Sequence, residues 1–201
     1  QQVKCSDSAV GYAITVKGLR GGHSGMEIHL GLGNANKMMN RVLFAVNDIC
    51  SVSSLLGGSL RNAIPRESTA TVVVNKDKVD EFHARLENTR LEILEEYKLL
   101  DPDLEIISEK LESVPETGMN NEDQDAFIKA VFGTHNGVYR MSPAISDLVE
   151  SSNNLAKITL NDGTITIECL TRSSVESSKM DMAYTLQSVF ELAGFKVSLT
   201  G

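Results

Sequence analysis

Residues 18–33 read Gly-Leu-Arg-Gly-Gly-His-Ser-Gly-Met-Glu-Ile-His-Leu-Gly-Leu-Gly and hold six of the chain's fifteen glycines and two of its four histidines. Glycines at this density mark a backbone that turns sharply or approaches something closely. An imidazole in such a loop is presented to a ligand, where it can donate a hydrogen bond to an oxygen on which negative charge develops. His23 is therefore the first candidate for chemistry. Arg172, in Cys169-Leu-Thr-Arg-Ser-Ser174, stands at the end of an alternating stretch. From there its guanidinium could take a carboxylate in bidentate fashion, although on residue type alone an arginine here more often forms a surface ion pair. Asn62, before Ala-Ile-Pro, has the type and place of a turn residue.

Other chemistries fit less well. A hydrolytic metal pair needs several His, Asp or Glu ligands converging on the ions. His83 falls beside Phe82 in a helical pattern, His135 lies in a Thr-His-Asn-Gly turn, and His23 and His29 have no metal-ligand spacing. There is no His-x-Asp, and Glu95-Glu96 sits inside a charged helix, so no metal site is expected in this chain. Ser24 adjoins His23, but neighbouring residues do not adopt base-to-nucleophile geometry. The glycine loop lacks the lysine and the spacing of phosphate-binding loops. Glu27 and His29 read as residues that shape the loop or, alternatively, touch a substrate.

The elements that must position these side chains follow from periodicity. Residues 9–18 alternate as a strand, and from Asn34 the positions Ala35, Met38, Met39, Val42, Leu43, Val46 and Ile49 follow helical spacing. Strands are predicted at 53–61, 69–75 and 104–111, with a helix over 78–99 capped by Asp77. This is the β-α-β-β-α-β order of a ferredoxin-like unit. Residues 113–123 form a polar linker bearing Pro and Gly. Beyond it come a helix at 124–133, strands near 137–141, 154–160 and 164–170, a helix at 179–193 and a last short strand ending at Gly201. The expected fold is α+β: two ferredoxin-like modules, 1–112 and 113–201, face to face or in one antiparallel sheet with helices on one face.

The balance of 19 Lys and Arg against 27 Asp and Glu, net −8, offers no basic stripe for nucleic acid. No apolar run approaches the roughly 20 residues that cross a bilayer. Three widely spaced cysteines, Cys5, Cys50 and Cys169, suit a reducing cytoplasm better than a disulfide framework. The chain begins at Gln without Met, as a piece of something longer would.

Taken together, Gly18-Leu-Arg-Gly-Gly-His-Ser-Gly25 with Asn34-Ala-Asn-Lys37, Leu60-Arg-Asn-Ala-Ile-Pro-Arg-Glu67, and Ile167-Glu-Cys-Leu-Thr-Arg-Ser-Ser174 closely resemble the bacterial aminoacyl-histidine dipeptidases of the M20 metallopeptidase family. The likeness runs along almost the whole chain and covers the lid, or dimerisation, domain alone. It implies a hydrolase whose two zinc ions are bound outside this chain, in the catalytic domain of the same polypeptide, with a dipeptide as substrate and a homodimer as a possible assembly. It further implies that His23 stabilises the tetrahedral intermediate, that Arg172 binds the substrate's C-terminal carboxylate, and that Asn62 lies near the substrate. At the first module's matching strand end stands Asn75, so the first half supplies histidine and the second arginine. By itself the fragment is expected to be inactive. Two alternatives stay open: a stand-alone ferredoxin-like binding or assembly module, and the lid of an M20 enzyme acting on another amide.

Overall fold

The structure, a computed structural model, describes residues 1–6 and 8–200. In chain order the elements are β1 (Gln2–Lys4), β2 (Ala9–Lys17), β3 (Gly22–His23), α1 (Ala35–Ala45), β4 (Cys50–Gly57), β5 (Ala63–Ile64), β6 (Ser68–Asn75), α2 (Val79–Tyr97), β7 (Glu105–Lys110), β8 (Thr117–Met119), α3 (Asn121–Gly133), β9 (Gly137–Met141), β10 (Val149–Asn161), β11 (Thr164–Ser173) and α4 (Glu176–Leu192). One-turn 3-10 helices cover Ile28–Leu30 and Lys76–Lys78.

Alternation along β2 places Val10, Tyr12, Ile14 and Val16 on one face, in register with Val74, Val72, Ala70 and Ser68 of β6. The apolar members of that face, with Val52 and Leu55 of β4 and Ile106 of β7, pack against Met38, Met39, Val42 and Leu43 of α1 and Phe82, Leu86 and Ile93 of α2. Burying each such side chain contributes about 1.5–3 kcal/mol. The strand order β4-β6-β2-β7, every pairing antiparallel, is that of the ferredoxin-like unit.

The second half extends the same sheet. β10 adds to the free edge of β4 through Ile158–Leu160 opposite Gly57–Leu55, and β11 then covers the far edge of β10. β9 pairs with the other end of β10, through Val149–Asn153. The result is a seven-stranded antiparallel sheet in the order β11-β10-β4-β6-β2-β7, with β9 also on β10. The helices lie side by side on one face, as the sequence predicts of an α+β fold. Asn34 caps α1 by accepting from the N–H groups of Asn36 and Lys37 (3.0 and 3.2 Å), and Asn120 caps α3 at 2.8 Å from Asp123 N.

Several expectations change in detail. Asp77 does not cap α2: it sits in the 3-10 turn that starts the helix, and Asp80 and Glu81 supply the negative charge of the first turn. Strand 53–61 is Cys50–Gly57, because Gly58, at φ +73°, turns the chain away. Strand 154–160 begins five residues earlier than predicted, and Arg172 belongs to β11 itself. The 113–123 segment contains β8, which pairs with β1. No closing strand occurs over residues 193–200; Gly194, at φ +85°, folds Phe195 back against Phe190 with ring centroids 5.8 Å apart. Gly201 lies outside the described residues.

Candidate active site

The glycine loop is fastened at both ends by one buried carboxylate. Asp101, just after α2, accepts from Arg20 N at 2.8 Å and from Gly33 N at 2.7 Å. Gly21 adopts φ +61°, and a Cβ there would stand 2.5 Å from Cγ of Arg66, so only glycine fits. The two-residue strand β3 pairs with β5, Gly22 opposite Ile64 and His23 opposite Ala63. Ser24 N donates to the carbonyl of Asn62 at 2.9 Å. Glu27 accepts from His23 N at 2.7 Å and returns its own N–H to the His23 carbonyl at 2.9 Å.

The imidazole is held from within this turn. Nδ1 of His23 accepts from Gly25 N and from Met26 N, each at 3.1 Å. A nitrogen facing two N–H donors must offer its lone pair, so in the neutral ring the proton resides on Nε2. His23 is thereby a ready hydrogen-bond donor whose tautomer its own backbone selects.

Arg172 lies against the same turn. A Cβ at Gly25 would be 3.2 Å from Cε1 of His23 and 3.3 Å from both Cδ and Nε of Arg172, so the two side chains flank a single glycine. The Arg172 side chain is exposed, and among the described residues it has no carboxylate within 4 Å and no hydrogen-bond acceptor. The surface ion-pair alternative is thus not what the structure displays. The fold brings His23, Asn62 and Arg172 together: the first two through the Ser24–Asn62 contact, the third through Gly25. The side chain of Asn62 is exposed. A groove of about 550 Å³ runs beside this hairpin, lined in part by Gly22, Leu60, Ile64 and Arg66.

The remaining candidates fall elsewhere. The Ser24 hydroxyl is buried, with no hydrogen-bond partner among the described residues, so it cannot act as a nucleophile activated by His23. His83 packs edge-on to Tyr12 and Phe82, and His135 bonds its own turn through Nε2 to the Val138 carbonyl at 3.1 Å. His29 is exposed in the 3-10 turn. Among the described residues no group of three or more His, Cys, Asp or Glu could hold a metal ion. No helix there is long and apolar enough to cross a membrane.

Two contributors, Asp101 and Asn154, escape a reading by residue type, and a third, Glu27, is legible only as a residue that shapes the loop. Asp101 looks like a helix stop, and only its Cα-distant partners reveal a clamp. Glu27 carries a faint signal, a carboxylate four residues after His23. Asn154 is hidden in a run, Glu150 to Asn154, that is polar yet no more than 5% exposed. Lys37 of the Asn34–Lys37 motif also has a visible task. Its Nζ donates to the carbonyls of Val131, Phe132 and Thr134 at 2.8, 2.9 and 2.9 Å, tying α1 to the end of α3. Burial pushes its ammonium down to about 8.

Residues 14–99 match the peptidase dimerisation domain of the M20 type. Residues 14–99 are thus a dimerisation domain of this peptidase type, and the α+β architecture is consistent with that fold. Two of the chain's relatives are named as dipeptidases. It is 39% identical over 193 residues to the cytosol non-specific dipeptidase of Escherichia coli (strain K12), an alignment covering 94% of this chain and 39% of the relative. It superposes on the crystal structure of aminoacylhistidine dipeptidase from Vibrio alginolyticus with a TM-score of 0.95 and 33% identity, covering 100% of this chain and 41% of that one. The chain therefore spans about two fifths of the length of each.

Proposed function

We propose that this chain is the lid of a zinc-dependent dipeptidase, whose catalytic domain lies in the same polypeptide outside these residues. His23 donates from Nε2 to the scissile carbonyl oxygen as charge develops on it, and Arg172 binds the dipeptide's C-terminal carboxylate. Asn62 stands at the edge of the substrate. The observation that carries this reading is the pair itself: a donor with its tautomer set and an arginine with no partner among the described residues, on either side of Gly25. Both zinc ions would be held elsewhere, since the described residues of this chain do not fit a metal, and the fragment alone is inactive.

The two halves, 1–112 and 113–201, act as related modules, the first supplying His23 and the second Arg172. Because one chain holds both, a homodimer, if formed, is not needed to complete the pair. Xaa-His dipeptides and a cytoplasmic setting are the substrate and location this reading assigns.

The test is His23→Ala in the full-length polypeptide. Loss of an oxyanion donor lowers kcat about 100- to 1000-fold. Turnover close to that of the unmodified enzyme would overturn the assignment.

A further inference from the structure

β10 changes partner along its length, from β9 at Val149–Asn153 to β4 at Ile158–Leu160. Between those stretches the polar groups on this edge meet side chains and turns, while the other edge stays paired with β11. Leu155 N donates to Asn136 Oδ1 at 2.9 Å, and the Leu155 carbonyl accepts from Asn34 and Asn36 at 3.0 and 3.4 Å. The turn after β4 docks here as well. A Cβ at Gly58 would be 1.9 Å from the carbonyl oxygen of Ala156.

Asn154 is the polar centre of this docking. It is 1% exposed, and its Nδ2 donates to the carbonyls of Arg61 and Ala63 at 3.2 and 2.8 Å, while its Oδ1 accepts from Asn34 at 3.4 Å. Ala63 is the register partner of His23, and the Asn62 carbonyl between the two bonded carbonyls receives Ser24 N. On the other edge of the same strand, Ser152 is the register partner of Arg172. Residues 152–154 thus support both members of the pair.

We propose that Asn154 is a positioning residue that fixes the separation of His23 and Arg172, and with it the length of peptide the site accepts. This rests on the roles given above to those two residues. A planar amide with both donors engaged permits one height for the Arg61–Ala63 turn. Without it two part-buried carbonyls lose this partner, and the turn shifts, carrying the backbone of His23 relative to β11. The carboxylate would still be held by Arg172, so binding survives while alignment of the carbonyl oxygen does not.

The experiment compares Asn154→Ala and Asn154→Ser with His23→Ala in the full-length polypeptide, on a dipeptide and on the same dipeptide extended by one residue. Each variant's thermal melting is recorded, and assays are run below the melting transition. For Asn154→Ala the expected result is a kcat on the dipeptide lowered about 100-fold, the loss a misplacement near 1 Å brings, with KM little changed. The tripeptide-to-dipeptide ratio of kcat/KM rises, which a general loss of stability would not produce. Asn154→Ser, keeping one donor for two carbonyls, gives a smaller change in the same direction and serves if the alanine variant does not fold. A dipeptide kcat and a selectivity ratio within about twofold of the unmodified enzyme in the folded variants overturn the inference. If His23→Ala loses turnover and the Asn154 variants do not, only the positioning role falls. If His23→Ala keeps turnover, the assignment of the site itself fails.

Discussion

His23 draws its orientation from atoms two and three residues further along its own loop, so the tautomer is a local property of Gly-His-Ser-Gly-Met. Arg172 is the opposite case: nothing in its own strand occupies the guanidinium, and its place beside Gly25 comes from a distant segment. An uncommitted arginine on an exposed strand end retains its full complement of donors for a ligand carboxylate. Hydrogen bonds to charged groups contribute about 1.5–3 kcal/mol, which for Arg172→Ala in the full-length polypeptide corresponds to a KM about 10- to 100-fold higher for dipeptides. Arg172→Lys should recover part of the loss, since an ammonium provides charge but no bidentate fork. Steady-state kinetics on a dipeptide checks both, and an unchanged KM in the alanine variant would remove the carboxylate role.

At the scale of elements, the glycine loop behaves as a closed unit, clamped at residues 20 and 33 by Asp101 and braced inside by Glu27 and the β3–β5 pair. Clamping matters because a glycine-rich segment otherwise has more conformations to lose than any other. Asp101→Asn preserves the shape but presents an NH2 group to one of two backbone N–H donors. That substitution should cost about 1.5–3 kcal/mol of stability and open the loop to protease. Urea unfolding together with limited proteolysis reads the effect; a change under about 0.5 kcal/mol with an intact loop would show that the clamp is dispensable.

For the whole molecule, the join between the halves is a shared sheet and a shared core. Phe127, Ile128 and Val131 of α3 and Leu155, Ile158 and Leu160 of β10 belong to the same buried cluster as β2 and α1. Burial in that body pushes the Cys50 thiol up to about 12 and the Cys169 thiol up to about 11, from an ordinary 9.0. Above pH 9 the unfolded chain releases these protons while the native chain retains them, so the native state binds more protons and stability falls as pH rises. Stability from this source is complete below pH 9 and is lost progressively up to about 11–12. Urea midpoints measured from pH 8 to pH 10.5 should drop more steeply for the native sequence than for Cys50→Ala/Cys169→Ala. Parallel pH profiles in the two proteins would contradict this.

Local sequence was sufficient for the strand–helix order of the first half, because alternation along β2 and β6 and the helical spacing of α1 and α2 each record a single buried face. It also marked the glycine loop, Asn62 and Arg172, since residue type and turn chemistry announce themselves within a few positions. It did not reveal the true extent of β10, whose first residues, Glu150 to Asn154, are polar and buried at once. Such residues satisfy their hydrogen bonds through partners far along the chain, so no periodicity records them. The meeting of His23 with Arg172 was likewise decided only in three dimensions. It depends on β10 adding to the free edge of β4, a pairing that buries apolar surface from both halves at once and leaves no trace in either half alone.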